Sequence, residues 1–277
     1  MDKLVPIGRT LFAIALIGFG VENVRFGEFL PGRAPAWPAA VPGGLAWAYL
    51  TGTIFIGIGI AILTSKKARP AAILAGLLIF LGAFLRLVPS IAAEPFLSPA
   101  WTNAGKTLAY AGGAFAIAAT LPALKGRRNP SLLKVVNLEG EFILVGRICL
   151  GLFLIIAGIQ HFLYTEFVAS LIPGWFPGNA VFWTYFAGVA LIAGGTGLFI
   201  PQTARLAALL SGLMIFSWFF LVHISREIAG VGNGLVFGAL LDASIAFVIA
   251  GYLYKRERTP ASKHPAPSII PITPTGS

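Results

Sequence analysis

Gly146-Arg147-Ile148-Cys149-Leu150-Gly151-Leu152-Phe153-Leu154-Ile155-Ile156-Ala157-Gly158-Ile159-Gln160-His161 is an apolar run that opens on an arginine and closes on polar residues. A run of the same design, from Gly8-Arg9 to Gly20-Val21-Glu22-Asn23, stands 138 residues earlier. The same offset pairs Glu28-Phe29 with Glu166-Phe167 and Trp37 with Trp175. It shortens to 136, pairing Trp47 with Trp183, Gly52 with Gly188, Gly59 with Gly195, Ala68-Arg69 with Ala204-Arg205 and Gly76 with Gly212. At an offset of 132, Ala111, Ala114-Phe115 and Ile117-Ala118 meet Ala243, Ala246-Phe247 and Ile249-Ala250. A chain written twice builds one structural module twice, and the two copies must stack.

Composition names the solvent. Hydrophobic residues make up 57% of the 277 and charged residues 11%, with a mean hydropathy of +0.86. A soluble domain of this size has no interior large enough to hide so much apolar surface, so the surroundings are lipid. Each half holds four apolar segments near the 20 or so helical residues that cross roughly 30 Å of hydrocarbon. They are expected at 5–24, 43–63, 70–89 and 104–124, then at 142–163, 179–200, 203–224 and 234–254. Helices are required because lipid offers the backbone no hydrogen-bond partner. The segments are continuous rather than alternating, which disfavours a β-barrel, and their Gly and Ala content suits close helix packing.

The expected fold is an all-α membrane protein of eight transmembrane helices in two parallel four-helix repeats. The repeats should cover 1–125 and 141–254, joined by a cytoplasmic linker at 126–140 and followed by a Pro-, Ser- and Thr-rich disordered tail at 255–277. With an even number of spans, both halves insert the same way round. The charged start and first apolar stretch resemble a secretion signal, but no small-residue cleavage site follows and the repeat needs this segment as a span.

Charge orients the chain. One side carries Lys3, Arg9, Lys66, Lys67, Arg69, Lys125, Arg127, Arg128, Lys134, Arg205, Lys255, Arg256, Arg258 and Lys263; the other has Arg25, Arg33, Arg86, Lys106 and Arg226. Excess Lys and Arg marks the cytoplasmic face, so both termini are expected inside. The net charge of +10 is then a topology signal with attraction to anionic lipid headgroups, and nucleic acid is not an expected partner. The six tryptophans, Trp37, Trp47, Trp101, Trp175, Trp183 and Trp218, fall on the opposite side. They read as an aromatic belt or as the lining of a pocket for a flat apolar ligand. Glu166 to Ile172 is expected to lie as a short interfacial helix.

A single cysteine, Cys149, rules out a disulfide or dithiol cycle within one chain and reads as a small buried apolar residue. No P-loop, dinucleotide fingerprint, zinc-protease motif or nucleophile elbow occurs. Ionisable residues inside spans are costly and are functional suspects by default. The candidate catalytic set is His161, His223 and Asp242, expected around one outer cavity of the second half, with Asp242 about 12 Å deep at 1.5 Å per residue. Gln160, Trp175, Trp183 and Arg226 are the candidate ligand-binding residues, with Glu166 and Glu227 near the same ends. A histidine beside a carboxylate moves protons near neutral pH, which suits quinone chemistry. Hydrogen bonds across helices or contact with headgroups would equally occupy both histidines. Two histidines and one Asp could also bind a metal, but no ligand-spacing motif supports that, and no metal is expected.

The first half differs at the matching positions, with Glu22, Asn23, Arg86, Glu94, Asn103 and Lys106 near its ends. Asn23 replaces His161, Leu87 replaces His223 and Tyr110 replaces Asp242, so the second half is expected to carry any site. Arg9 and Arg147, just inside the cytoplasmic ends, are expected to snorkel toward phosphates or cap helix ends.

Several stretches resemble bacterial DoxX-like membrane proteins: Gly158-Ile-Gln-His161-Phe-Leu-Tyr, Leu171-Ile-Pro173-Gly-Trp175-Phe-Pro177, Phe182-Trp183-Thr-Tyr185-Phe-Ala-Gly188, Ala204-Arg205-Leu-Ala-Ala and Leu221-Val-His223-Ile. The resemblance covers nearly all of the second half, and Trp101-Thr-Asn103-Ala-Gly105-Lys106 extends it to a diverged first copy. It implies a four-helix unit in a bacterial inner membrane, and some such proteins are membrane subunits of a thiosulfate:quinone oxidoreductase. A quinone ligand and a soluble or membrane redox partner are therefore implied. A small-molecule permease and a non-catalytic membrane scaffold are the alternatives, because fold analogy does not transfer a reaction.

Overall fold

A computed structural model describes residues 1–27, 42–122, 138–230 and 236–258. Arg33, Trp37, most of the loop before Gly43, residues 126–137 of the expected linker and the tail after Arg258 lie outside the described residues, as do the side chains of Arg86 and Leu87.

Among the described residues all regular structure is helical: α1 (Leu4–Phe26), α2 (Gly44–Thr64), α3 (Ala68–Ala93), α4 (Pro99–Ala119), α5 (Leu138–Leu163), the short α6 (Thr165–Ser170), α7 (Ala180–Phe199), α8 (Ala204–Ile228) and α9 (Val236–Arg258). Seven of them, α1, α2, α3 as far as Leu85, α5, α7, α8 and α9, are long and apolar enough to cross a membrane. Large apolar side chains stand exposed along them, among them Leu81, Phe84, Phe186, Val189, Leu206 and Leu210. A helix apolar on its outer as well as its inner face is at rest in hydrocarbon, not in water. By length and composition the chain is a multi-pass helical membrane protein.

The remaining long helix, α4, has a different composition. It begins Pro-Ala-Trp-Thr-Asn-Ala-Gly-Lys and continues in Ala and Gly. Most of its second half is buried, so its neighbours are protein and its side chains are small where those neighbours press close. It starts five residues before the expected 104–124 span, because Pro99 presets the first helical turn after Ser98. Two other boundaries also move. Leu138–Gly140 belong to α5 rather than to a linker, and Lys255–Arg258 continue α9 rather than opening the tail.

The long helices close a ring in chain order: α1 on α2, α2 on α3, α3 on α4, α4 on α5, α5 on α7, α7 on α8, α8 on α9, and α9 back on α1. The first helix of each half thus packs on the last helix of the other, while α4 and α9 touch across the centre. Glycines set how closely the backbones approach. A Cβ on Gly52 would lie 2.7 Å from the Gly20 carbonyl, and one on Gly158 would lie 2.8 Å from that of Gly188. A Cβ on Gly59 would meet the Ala13 carbonyl at 2.7 Å, and one on Gly195 that of Gly151 at 2.6 Å. Between the halves, Gly8 abuts the Ser244 carbonyl and Val248, while Gly146 abuts Ala116 and the Gly112 carbonyl. In each comparison the second contact joins residues at the sequence offsets of the first.

At the end carrying Lys3, Lys66 and Lys255, arginines tie helix termini together. Arg9 donates to the Thr120 hydroxyl at 2.9 Å, and Arg147 gives two hydrogen bonds, 3.1 and 2.8 Å, to the Leu198 carbonyl at the close of α7. Both are helix-end contacts of the expected kind. Arg69 pairs with Glu139 and Arg205 with Glu257. The opposite end carries Trp47, Trp101, Trp175 and Trp183 and is called the aromatic end below.

Candidate functional site

The residues singled out in the sequence divide into two groups in space. His161 lies in the last turn of α5, where Nδ1 donates to the Ala157 carbonyl at 2.7 Å. A carbonyl only accepts, so Nδ1 carries a proton in this contact. The ring lies nearly parallel to Trp218, with centroids 6.5 Å apart. One turn on, Phe219–Ile224 widen into a π-helical turn that carries His223, with Phe216, Phe219 and Phe220 in edge and stacked contact alongside. Such turns are rare and concentrate at functional positions. His161 therefore meets α8 at Trp218, the residue that precedes the π turn.

Asp242 is 3% exposed on α9, with Lys106 of α4 as its neighbouring charge. Tyr110, 4% exposed on α4, lies within electrostatic reach of Asp242 and of Glu22 near the end of α1. Its hydroxyl sits where a side chain on Gly238 would collide with it, one turn before Asp242. Glu22 in turn senses Glu227 from α8 and Arg25. The candidate catalytic carboxylate thus joins Glu22, Lys106 and Tyr110 of the first half at the contact between halves. Sequence reasoning set those three aside because they do not match the second half. Tyr110 and Asp242 stand at the 132-residue offset that pairs the two stretches in the sequence, and α4 and α9, which carry them, touch; that pairing is the available signal.

Five buried polar atoms among the described residues make no hydrogen bond: Glu22 Oε2, Ser98 Oγ, Trp101 Nε1, Tyr110 Oη and Asp242 Oδ1. All five lie toward the aromatic end, on α1, α4 and α9 or, for Ser98, at the cap just before α4. Phe19 lies against both Tyr110 and Phe237, with centroids 5.9 and 6.4 Å away, giving the polar atoms an aromatic wall. Lys106 extends over the Phe153 ring at 5.6 Å.

The candidate ligand-binding residues make hydrogen bonds and ring contacts within the protein. Gln160, 7% exposed, donates from Nε2 to the carbonyls of Leu97 and Ser98 at 3.0 and 2.8 Å. Trp183 donates to the Pro177 carbonyl at 2.7 Å and meets Phe176, which also meets Trp175. Trp175 is 60% exposed, as suits an interfacial belt. Arg226 reaches the Ser170 carbonyl at 3.5 Å, at the end of α6, which overlaps the stretch expected to lie at the interface. Cys149 is buried. Among the described residues no group of three or more His, Cys, Asp or Glu side chains is placed to hold a metal ion.

Residues 150–231 match a family described as a domain of unknown function, DUF8561. The match covers less than half of the chain. It includes His161, Trp175, Trp183, His223 and Arg226, and stops short of Asp242 and the first half. No curated protein and no solved structure matches the chain.

Proposed function

We propose that the chain is a DoxX-like protein of eight spans in two parallel repeats, and that it holds a quinone or quinol between them as the membrane subunit of a redox system. The ligand reading is carried by Tyr110 and Asp242, both more than nine-tenths buried with an unpartnered oxygen. An unsatisfied buried polar group costs about 1–3 kcal/mol, so two together are retained where something else completes them. A phenol and a carboxyl offer a donor and an acceptor, the complement of carbonyl or hydroxyl oxygens on a ring. Phe19 and Phe237 supply flat apolar walls. Electrons would come from a redox partner, as the DoxX resemblance implies. Support for the repeats comes from the paired glycine approaches and the ring of helices, in which α4 fills the place that α9 fills in the second half.

Purified protein in lipid nanodiscs, titrated with decylubiquinone and its quinol and followed by tryptophan quenching, tests this. Tyr110→Phe and Asp242→Asn are each expected to weaken binding at least about tenfold, the equivalent of roughly 1.4 kcal/mol, with insertion unchanged. Normal binding by both variants, together with loss in His161→Ala or His223→Ala, would return the site to the α5–α8 face. Binding of neither form by the wild type would remove the quinone reading.

A carrier is the second reading, favoured by the position of the cluster between the halves, where transporters place their sites. The filled interior beyond Tyr110 weighs against it. The Lys and Arg bias supports a bacterial inner-membrane location with both termini cytoplasmic. Reporter fusions at Lys66 and after Arg258 should score cytoplasmic and fusions beside Trp101 and Trp175 periplasmic; a periplasmic C-terminus would overturn the eight-span arrangement.

A further inference from the structure

Glu22 and Gln160 occupy the same position of the two halves, 138 residues apart, and their surroundings are opposite. Gln160 spends its amide on the carbonyls of Leu97 and Ser98, which closes the aromatic end beside α4. Glu22 has no N–H to give. It is half-buried, its Oε2 is buried without a partner, and it lies within electrostatic reach of Glu227, Arg25 and Tyr110. Tyr110 lies against Gly238, one turn before Asp242, and against Phe19, about one turn before Glu22, so the phenol neighbours the helix segments that carry both carboxyls. At 1.5 Å per helical residue, Glu22 is about 6 Å from the end of α1, Asp242 about 9 Å into α9 and Tyr110 about 16 Å into α4. Toward the basic end the interior is filled by Phe12, Leu16, Ile117, Ile245, Val248 and Ile249, none more than 1% exposed. The Ser244 hydroxyl beside them donates to the Leu241 carbonyl.

We propose that Glu22 is the proton-exchange residue of the buried cluster, passing protons between water at the aromatic end and the Tyr110–Asp242 pair, and that the basic end has no access to that pair. The step is a proton transfer between oxygens with no change of oxidation state: the proton leaving one carboxyl is replaced from water through the other. Asp242 faces Tyr110 and Lys106 of α4; Glu22 faces Glu227 of α8, Arg25 of its own helix and Tyr110. Toward the other end Arg9 is engaged with Thr120, Arg69 with Glu139 and Arg205 with Glu257. The inference holds whatever molecule occupies the cluster, so it can fail while the quinone reading stands, and the reverse.

Time-resolved infrared spectroscopy on membrane vesicles of both orientations tests it, with the Asp242 carboxyl band identified as the one lost in Asp242→Asn. A pH jump on the aromatic side should titrate that band promptly, and a jump on the basic side should leave it unchanged until the vesicles leak. Glu22→Gln should slow the response at least about tenfold, within the range by which a positioned acid–base group speeds proton transfer, and Glu22→Asp should restore most of the rate. An equal rate in Glu22→Gln, a prompt response to the basic-side jump, or a band that does not titrate from either side would each overturn the proposal.

Discussion

Gly20→Leu and Gly158→Leu are expected to abolish recovery of folded protein, and Gly57→Leu on the neighbouring helix to have no measurable effect. A Cβ on Gly20 would run into the Gly52 carbonyl and Ile56; one on Gly158 would meet the Gly188 carbonyl at 2.8 Å and Ile192 at 2.7 Å. The obstacle in both cases includes backbone, which cannot rotate away as a side-chain tip can. Overpacking a close-packed interior costs about 1–3 kcal/mol even where side chains yield. Here the helices must separate along their length, losing the van der Waals contact that holds apolar helices together in lipid. Gly57 has nothing within 4 Å of its Cβ position. Size-exclusion profiles of detergent extracts give the readout. Equal, severe losses at positions 20 and 158 would follow from one crossing used twice. A harmless leucine at either would mean that the approach of α1 to α2, or of α5 to α7, is looser than the glycines require.

The apolar helices were legible because a span in lipid must be apolar on every side, which leaves continuous runs in the sequence. Glycine positions were legible too, since the offsets that pair Gly20 with Gly158 and Gly52 with Gly188 are the ones at which backbones meet. α4 was legible as a helix but displaced by five residues, because its first two turns carry Trp, Thr, Asn and Lys and do not read as part of an apolar run. Hydropathy reports the lipid-facing surface, and a buried helix has little of it.

The candidate site was legible one residue at a time and not as a group. Asp242 stood out because a carboxyl within a span is costly. Its neighbours did not, because they come from the half that had been set aside for lacking a matching histidine. Residues equivalent by repeat lie far apart along the chain and come together only when α4 and α9 are placed side by side. His161 and Gln160 show the converse limit. They are adjacent, equally polar and equally close to a helix end, yet one turns toward Trp218 and the other into the loop before α4. Only the second makes a contact that the fold depends on.

That difference sets the other large effect. Gln160→Leu is expected to lower the apparent melting temperature by roughly 5–10 °C, while His161→Ala changes it little. Leu97 has φ of +62°, the only left-handed non-glycine among the described residues, a conformation that costs about 1–2 kcal/mol for a residue with a Cβ. Its carbonyl is held by Gln160, and by the Tyr164 hydroxyl at 3.4 Å. Leucine at 160 keeps the volume but leaves the Leu97 and Ser98 carbonyls without their donor, at about 1–3 kcal/mol each. Each kcal/mol moves the midpoint by roughly 2–4 °C in a chain of this size. His161 bonds only a carbonyl of its own helix, one turn back, so little is stranded by its removal. Gln160→Glu, which gives this position the residue that Glu22 supplies in the other half, should be worse than leucine: it removes both donors and sets a carboxylate against two carbonyls. Leu97→Gly in the Gln160→Leu background should recover part of the loss, because a turn without left-handed strain no longer needs to be clamped. If Gln160→Leu melts with the wild type, or the glycine recovers nothing, the strained turn is held by the packing of Phe96 and Trp101 and not by the amide.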